Sequence, residues 1–252
     1  MNSTPEKSAI VTGGGSGIGA AVALDLSKSG YKVTVADMNE KGGEEIVGQI
    51  IAIGGTGQFI RTDVSDENNV IALVEAALSA YGKLDAACNA AGISQRGKML
   101  HDLTTEEWDR CQAVNLRGSF LCNKYQVIAM IETGGGAIVN VASTCSMVAV
   151  QNAAEYCASK AGVLGLVRGV ALDYATHGIR INAVLPGGTQ TPMLTSATET
   201  DPTLEAALVA VHPMKRFGQP GEISTAIKWL LSDEASFVTG ASLAVDGGML
   251  AI

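Results

Sequence analysis

The sequence predicts a doubly wound α/β fold: one parallel sheet of about seven strands with helices on both faces. Three observations predict it. Short β-rich runs alternate with longer helical stretches along the 252 residues, the pattern of repeated βαβ units with right-handed crossovers. The strand runs are continuous in Val, Ile and Ala rather than alternating with polar residues, as expected where both sheet faces are buried. A glycine-rich segment also follows the first run and opens the first helical stretch.

The elements follow in order. Lys7–Thr12 reads as the first strand, and a helix follows the glycines near Ile18–Ser29. Lys32–Ala36 is the second strand, with a helix near Glu40–Ile53. Gln58–Thr62, a helix at about Glu67–Tyr81 and the strand Leu84–Cys88 come next. A long helical region is expected from about Thr105 to Ile131, then a strand at Ala137–Ala142 and a helix near Glu155–Thr176. Arg180–Val184, a helix near Glu222–Leu231 and a short run at Ser242–Val245 close the pattern. The irregular block is Thr191–Gly218, which holds three of the six prolines and reads as a mobile lid. With no linker or repeat in view, residues 1–252 are expected to form a single domain, with a substrate lid at about 191–218.

Composition narrows the partners. Hydrophobic residues make up 47% and charged residues 17%, as in a well-packed globule. Seventeen Lys+Arg against 25 Asp+Glu leave a net charge of -8, which disfavours nucleic acid and anionic membranes. The N-terminal residues lack an apolar signal region, and no apolar run reaches the ~18 residues of a membrane span. Five scattered cysteines without a Cys-x-x-Cys pair read as reduced thiols in a cytoplasmic protein. Three dispersed histidines argue against a metal site.

The loop Thr12–Gly19 carries Gly13, Gly17 and Gly19 in the spacing Gly-x-x-x-Gly-x-Gly, with Ser16 and Ile18 between them. Glycines let backbone N–H groups approach a pyrophosphate, and the helix N-terminus adds partial positive charge. The spacing is not the common Gly-x-Gly-x-x-Gly, but the strand–loop–helix context reads as the phosphate loop of a Rossmann-type dinucleotide site, with a flexible turn as the alternative. Asp37 ends the second strand, where a carboxylate accepts from ribose hydroxyls and repels a 2′-phosphate. No Lys or Arg directly follows it, so NAD is expected rather than NADP.

Tyr156 and Lys160 stand four apart in a helical stretch, on one helix face. A phenol with pKa ~10 is a poor base at neutral pH. An ammonium at ~4 Å stabilises its phenolate by ~4 kcal/mol at an effective dielectric near 20, before desolvation opposes it.

Thr12–Gly19, Asn89-Ala90-Ala91-Gly92, Asn115, Ser143, Tyr156-x-x-x-Lys160 and Pro186-Gly187 occur in one order. Together they resemble the short-chain dehydrogenase/reductase family across nearly the whole chain. The resemblance implies an NAD-dependent oxidoreductase that reversibly oxidises a secondary alcohol to a ketone. In it, Tyr156 is the general acid/base, Lys160 lowers its pKa and holds the nicotinamide ribose, Ser143 bonds the substrate oxygen, and Asn115 holds a water relay from Lys160. Asp63 and Val64 would flank the adenine, and Asn89, Ala90 and Gly92 would lie under the adenosine ribose. Pro186, Gly187, Thr189 and Thr191 would hold the nicotinamide end. The chain departs from the family's usual pattern at Ala90, where Asn is commoner, and at Gly188-Thr189-Gln190, where a branched apolar residue is common.

The substrate walls are expected at Ser94–Arg96, Cys145–Met147, Gln151–Asn152, Gly188 and the lid from Met193 to about Met214. They hold apolar surface and a few amides without a cation cluster, which suits a small neutral secondary alcohol or ketone. Lys124-Tyr125-Gln126, His212-Pro213 and Asp246-Gly247-Gly248 are similar to bacterial members that oxidise cyclic alcohols and diols. The Asp-Gly-Gly ending also resembles members that form homotetramers. Two alternatives are a carrier-linked 3-oxoacyl ketoreductase and a non-catalytic NAD-binding regulator.

Overall fold

The computed structural model describes residues 7–94, 97–199 and 202–251. Seven parallel strands form one sheet: β1 (Ser8–Thr12), β2 (Lys32–Asp37), β3 (Gly57–Arg61), β4 (Ala86–Asn89), β5 (Gly136–Val141), β6 (Ile179–Pro186) and β7 (Ser242–Val245). Their order is β3-β2-β1-β4-β5-β6-β7. The chain therefore winds one way from β1 and then the other, which opens a crevice at the carboxyl ends of β1 and β4.

Successive strand residues feed opposite faces, as the period of two requires. Val11, Val33, Val35, Cys88, Val139 and Val184 pack under α1 (Gly17–Lys28), α2 (Glu40–Ala52) and α9 (Pro220–Leu231). Ile10, Ala36, Ala87, Ile138, Ile181 and Leu185 face α3 (Glu67–Tyr81), α5 (Gly118–Thr133) and α6 (Ala154–Tyr174). Burial on both faces is why the runs read as continuously apolar.

One expectation needs correction and another gains detail. The helical region from Thr105 to Ile131 is continuous but not regular throughout. It is α4 (Thr105–Gln112), a π-helical turn at Ala113–Arg117, and α5. The wider turn accommodates Asn115, whose side chain is held by Ile93 and Ser159 rather than following an unbroken helical stripe. The block 191–218 is not irregular either, since it contains α7 (Pro192–Thr198) and α8 (Pro202–Ala210). α7 begins on Pro192, whose fixed φ suits the first helical position and whose missing N–H costs nothing there. Among the described residues, no helix is long and apolar enough to cross a membrane.

Candidate active site

A cavity of 870 Å³ opens along the carboxyl ends of the strands. Gly13, Ser16, Gly17, Ile18 and Gly19 line it after β1, and Asp37 after β2. Asp63, Val64, Ala90 and Gly92 follow on the β3 and β4 side. Ser143, Cys145, Tyr156 and Lys160 form the wall above β5. Pro186, Gly187, Gly188, Thr189, Thr191 and Met193 complete it after β6.

The glycine loop is shaped for an anion. Gly13 has φ +65°, and a Cβ there would stand 2.7 Å from the Ala91 nitrogen. Only glycine fits so close to the neighbouring strand turn. Ser16 caps α1 without a side-chain hydrogen bond, so the first-turn N–H groups at the cavity wall stay available to an anion. Asp37 steadies the loop, its Oδ2 accepting from Gly15 N at 2.9 Å and its Oδ1 from Asn39 N at 2.9 Å. These residues fit a dinucleotide: backbone donors for the pyrophosphate, then an acid at the end of β2.

The opposite end holds the polar set. Tyr156 and Lys160 lie one turn apart on α6, 7% and 4% exposed, with Lys160 Nζ 5.8 Å from the centre of the Tyr156 ring. Below them Val163, Leu164 and Val167 continue the buried stripe that fixes this helix face. Burial pushes the Lys160 ammonium down to about 8. Ser143 lies just beyond β5, and its Oγ accepts from Cys145 N at 3.1 Å. Ser146 Oγ donates to the Lys160 carbonyl at 2.9 Å and fastens the same turn to α6.

Three expected residues sit apart from the cavity lining. Asn115 is fully buried: Oδ1 accepts from Ile93 N at 2.8 Å, and Nδ2 donates to Ile93 O at 2.9 Å and Ser159 Oγ at 3.0 Å. Its side chain ties the β4 loop to α6 instead of facing open space. A Cβ on Gly92 would stand 3.3 Å from both Asn115 Oδ1 and Lys160 Nζ, so the two groups flank one small gap. Asn89 turns its amide beneath the site, donating to Gln126 Oε1 at 3.0 Å and Asn140 Oδ1 at 3.1 Å. That buried amide network takes up its side chain. Gln151 is exposed and contributes nothing to the wall. Gln95 and Arg96 lie outside the described residues.

Other wall residues had no sequence signal. Lys98, Glu107 and Arg110 stand on the rim, with Lys98 Nζ 2.5 Å from Glu107 Oε1. Met249, from the turn Met249–Ala251, also lines the cavity. None of the five cysteines is in a disulfide, and burial pushes Cys88 and Cys122 up to about 12.

A family model described as enoyl-(acyl carrier protein) reductase matches residues 13–250. The chain belongs to the short-chain dehydrogenase/reductase family. It is 47% identical over 253 residues to a 2,5-dichloro-2,5-cyclohexadiene-1,4-diol dehydrogenase of Sphingobium indicum, covering 100% of each chain. It is 41% identical to a cyclohexanol dehydrogenase of Acinetobacter sp., covering 98% of this chain and 96% of that one. The crystal structure of levodione reductase superimposes with a TM-score of 0.94 at 35% identity, covering 99% of both chains. This short-chain dehydrogenase/reductase is thus an oxidoreductase of the Rossmann type, among relatives named as dehydrogenases of cyclic alcohols and diols.

Proposed function

We propose that this protein is an NAD-dependent dehydrogenase that reversibly oxidises a small neutral secondary alcohol, cyclic in skeleton, to its ketone. One observation carries the reading: Ser143, Tyr156 and Lys160 share the cavity whose other end is the glycine loop and Asp37. The names of the relatives support a cyclic alcohol or diol.

Gly13, Ser16, Gly17, Ile18 and Gly19 hold the pyrophosphate in this reading, with Asp37 on the adenosine ribose. Asp63, Val64, Ala90 and Gly92 border the adenosine, where Asn89 contributes through its backbone. Pro186, Gly187, Thr189 and Thr191 hold the nicotinamide end. The bound nicotinamide supplies the hydride acceptor.

The chain's own residues manage the proton. Tyr156 takes the proton from the substrate hydroxyl, and Ser143 donates a hydrogen bond to the same oxygen as the carbonyl forms. Lys160 stabilises the phenolate form of Tyr156 and contacts the nicotinamide ribose. Asn115 acts through position, holding the Ile93 backbone and Ser159 so that Lys160 keeps its place. Cys145, Gly188 and Met193 shape the substrate pocket, and the segment 191–218 acts as its lid.

We place the enzyme in the cytoplasm as a homotetramer. Five cysteines without a disulfide support a reducing compartment. Phe120 and Ile128 on α5 and Leu172 on α6 are exposed apolar side chains that an assembly would cover. Light scattering checks this, and a 25.8 kDa monomer at micromolar concentration contradicts it.

The test of function is a panel of cyclic secondary alcohols assayed with NAD and NADP by absorbance of the reduced nicotinamide. Turnover of a cyclic alcohol with NAD is expected. The family model's description favours a second reading, reduction of a carrier-linked acyl chain. Activity on acyl-carrier substrates with NADPH, and none on alcohols, would decide for it. Cofactor binding without turnover of either class would point to a regulator.

A further inference from the structure

His212 lies just beyond α8 and is 3% exposed, yet it borders the cavity. Its Nε2 accepts from Gly188 N at 2.9 Å, and its Nδ1 is 2.7 Å from Leu208 O. A backbone N–H only donates and a carbonyl only accepts, so the ring carries its proton on Nδ1 and presents a bare Nε2 to Gly188.

The fit around the ring is close. A Cβ on Gly187 would stand 2.7 Å from His212 Nε2. One on Gly188 would stand 2.8 Å from Phe217 Cδ1 and 3.1 Å from His212 Cε1. His212 and Phe217 meet edge to face, with centroids 6.1 Å apart and planes at 87°. A branched side chain at position 188 would therefore force this ring pair to shift. Gly188 O accepts from Gly218 N at 2.9 Å, and Gly218 O accepts from Gln190 N at 2.9 Å. The strand-end turn 187–190 is thus stitched to both ends of the segment 212–218.

We infer that His212 is a positioning residue, a latch that ties the end of the lid to Gly188 and so sets the turn that receives the nicotinamide half of the cofactor. This rests on the proposed NAD site. The latch acts on the nicotinamide end alone, because the adenosine end is built at the ends of β1, β2, β3 and β4, whereas the ring of His212 bonds Gly188 and Leu208.

The test compares wild type with His212→Phe, which keeps a ring against Phe217 but cannot accept from Gly188, and with His212→Gln, whose amide oxygen can. Affinities for NADH and for AMP are measured by fluorescence and calorimetry. For His212→Phe, NADH affinity falls about tenfold, the scale of one unsatisfied buried donor, while AMP affinity stays unchanged. His212→Gln restores NADH affinity to within about twofold. Unchanged NADH affinity in His212→Phe, or equal loss of NADH and AMP, overturns the latch. If His212→Phe does not fold, His212→Asn, too short to reach Gly188, takes its place with the same expectation. Wild type that binds neither NADH nor AMP overturns the proposed cofactor site and the latch with it, whereas a failed latch alone leaves wild-type NADH binding and turnover intact.

Discussion

The ammonium of Lys160 donates to the carbonyl oxygen of Val141 at 2.8 Å. That bond joins α6 to the last residue of β5, two positions before Ser143. One contact therefore sets the helix that carries Tyr156 against the strand end that carries Ser143. Tyr156 and Ser143 share one wall across this junction of helix and sheet, which the bond from Ser146 to the Lys160 carbonyl also fastens.

Tyr156→Phe removes one hydroxyl and little volume. Turnover should fall by about 10²-fold or more, the usual worth of a general acid–base, with NADH affinity and melting temperature retained. Ser143→Ala should lower kcat with cofactor affinity nearly unchanged. Steady-state kinetics beside NADH titration checks both. Near wild-type turnover in Tyr156→Phe would rule the mechanism out.

Lys160 carries a pH signature in stability. Its folded pKa, about 8, lies below the ordinary 10.5 because burial penalises the charge. Between those values the unfolded chain binds more protons than the folded one, so stability rises with pH there. The penalty is fully present below pH 8 and is gone above 10.5. It amounts to about 3 kcal/mol. Relative to Lys160→Met, the wild-type apoprotein should gain stability across this window and show a constant offset below it. Urea unfolding of the two proteins across the window measures it, and a flat difference would contradict it.

Asp37 should set cofactor choice. NAD is expected to exceed NADP by at least about tenfold in kcat/KM, since a 2′-phosphate would meet the carboxylate. Asp37→Ala should narrow that gap and also slacken the glycine loop, because Gly15 N loses its acceptor. Equal use of both cofactors by wild type would overturn the assignment.

Asn115→Leu should destabilise the fold by about 2–4 kcal/mol, because the Ile93 backbone pair and Ser159 lose their partner in the interior. Denaturant unfolding reads the loss directly. A change under about 0.5 kcal/mol, the range of an ordinary surface substitution, would mean that the three bonds do not act as a fastening.

Local sequence determined much of this protein. Strand runs, the glycine loop, the acid closing β2 and the four-residue spacing of Tyr156 and Lys160 are short-range patterns, and backbone geometry turns each into one local shape. Thus the parallel sheet, and the two ends of the cavity, were legible from residues close together in the chain. Tertiary structure decided the rest. Asn89 and Asn140 are 51 positions apart, and only the pairing of β4 with β5 brings their amides together beneath the site. Asn115 had to leave a regular helix through a π-helical turn to reach Ile93 and Ser159. Gln151 reads as a wall residue but is exposed and outside the lining, whereas Lys98, Glu107 and Arg110 come to the cavity from an ordinary polar helix and its approach. His212 found Gly188 across 24 positions. Hydrogen bonds of this kind depend on which elements the sheet order makes neighbours, and no periodicity within a segment encodes a partner so far along the chain.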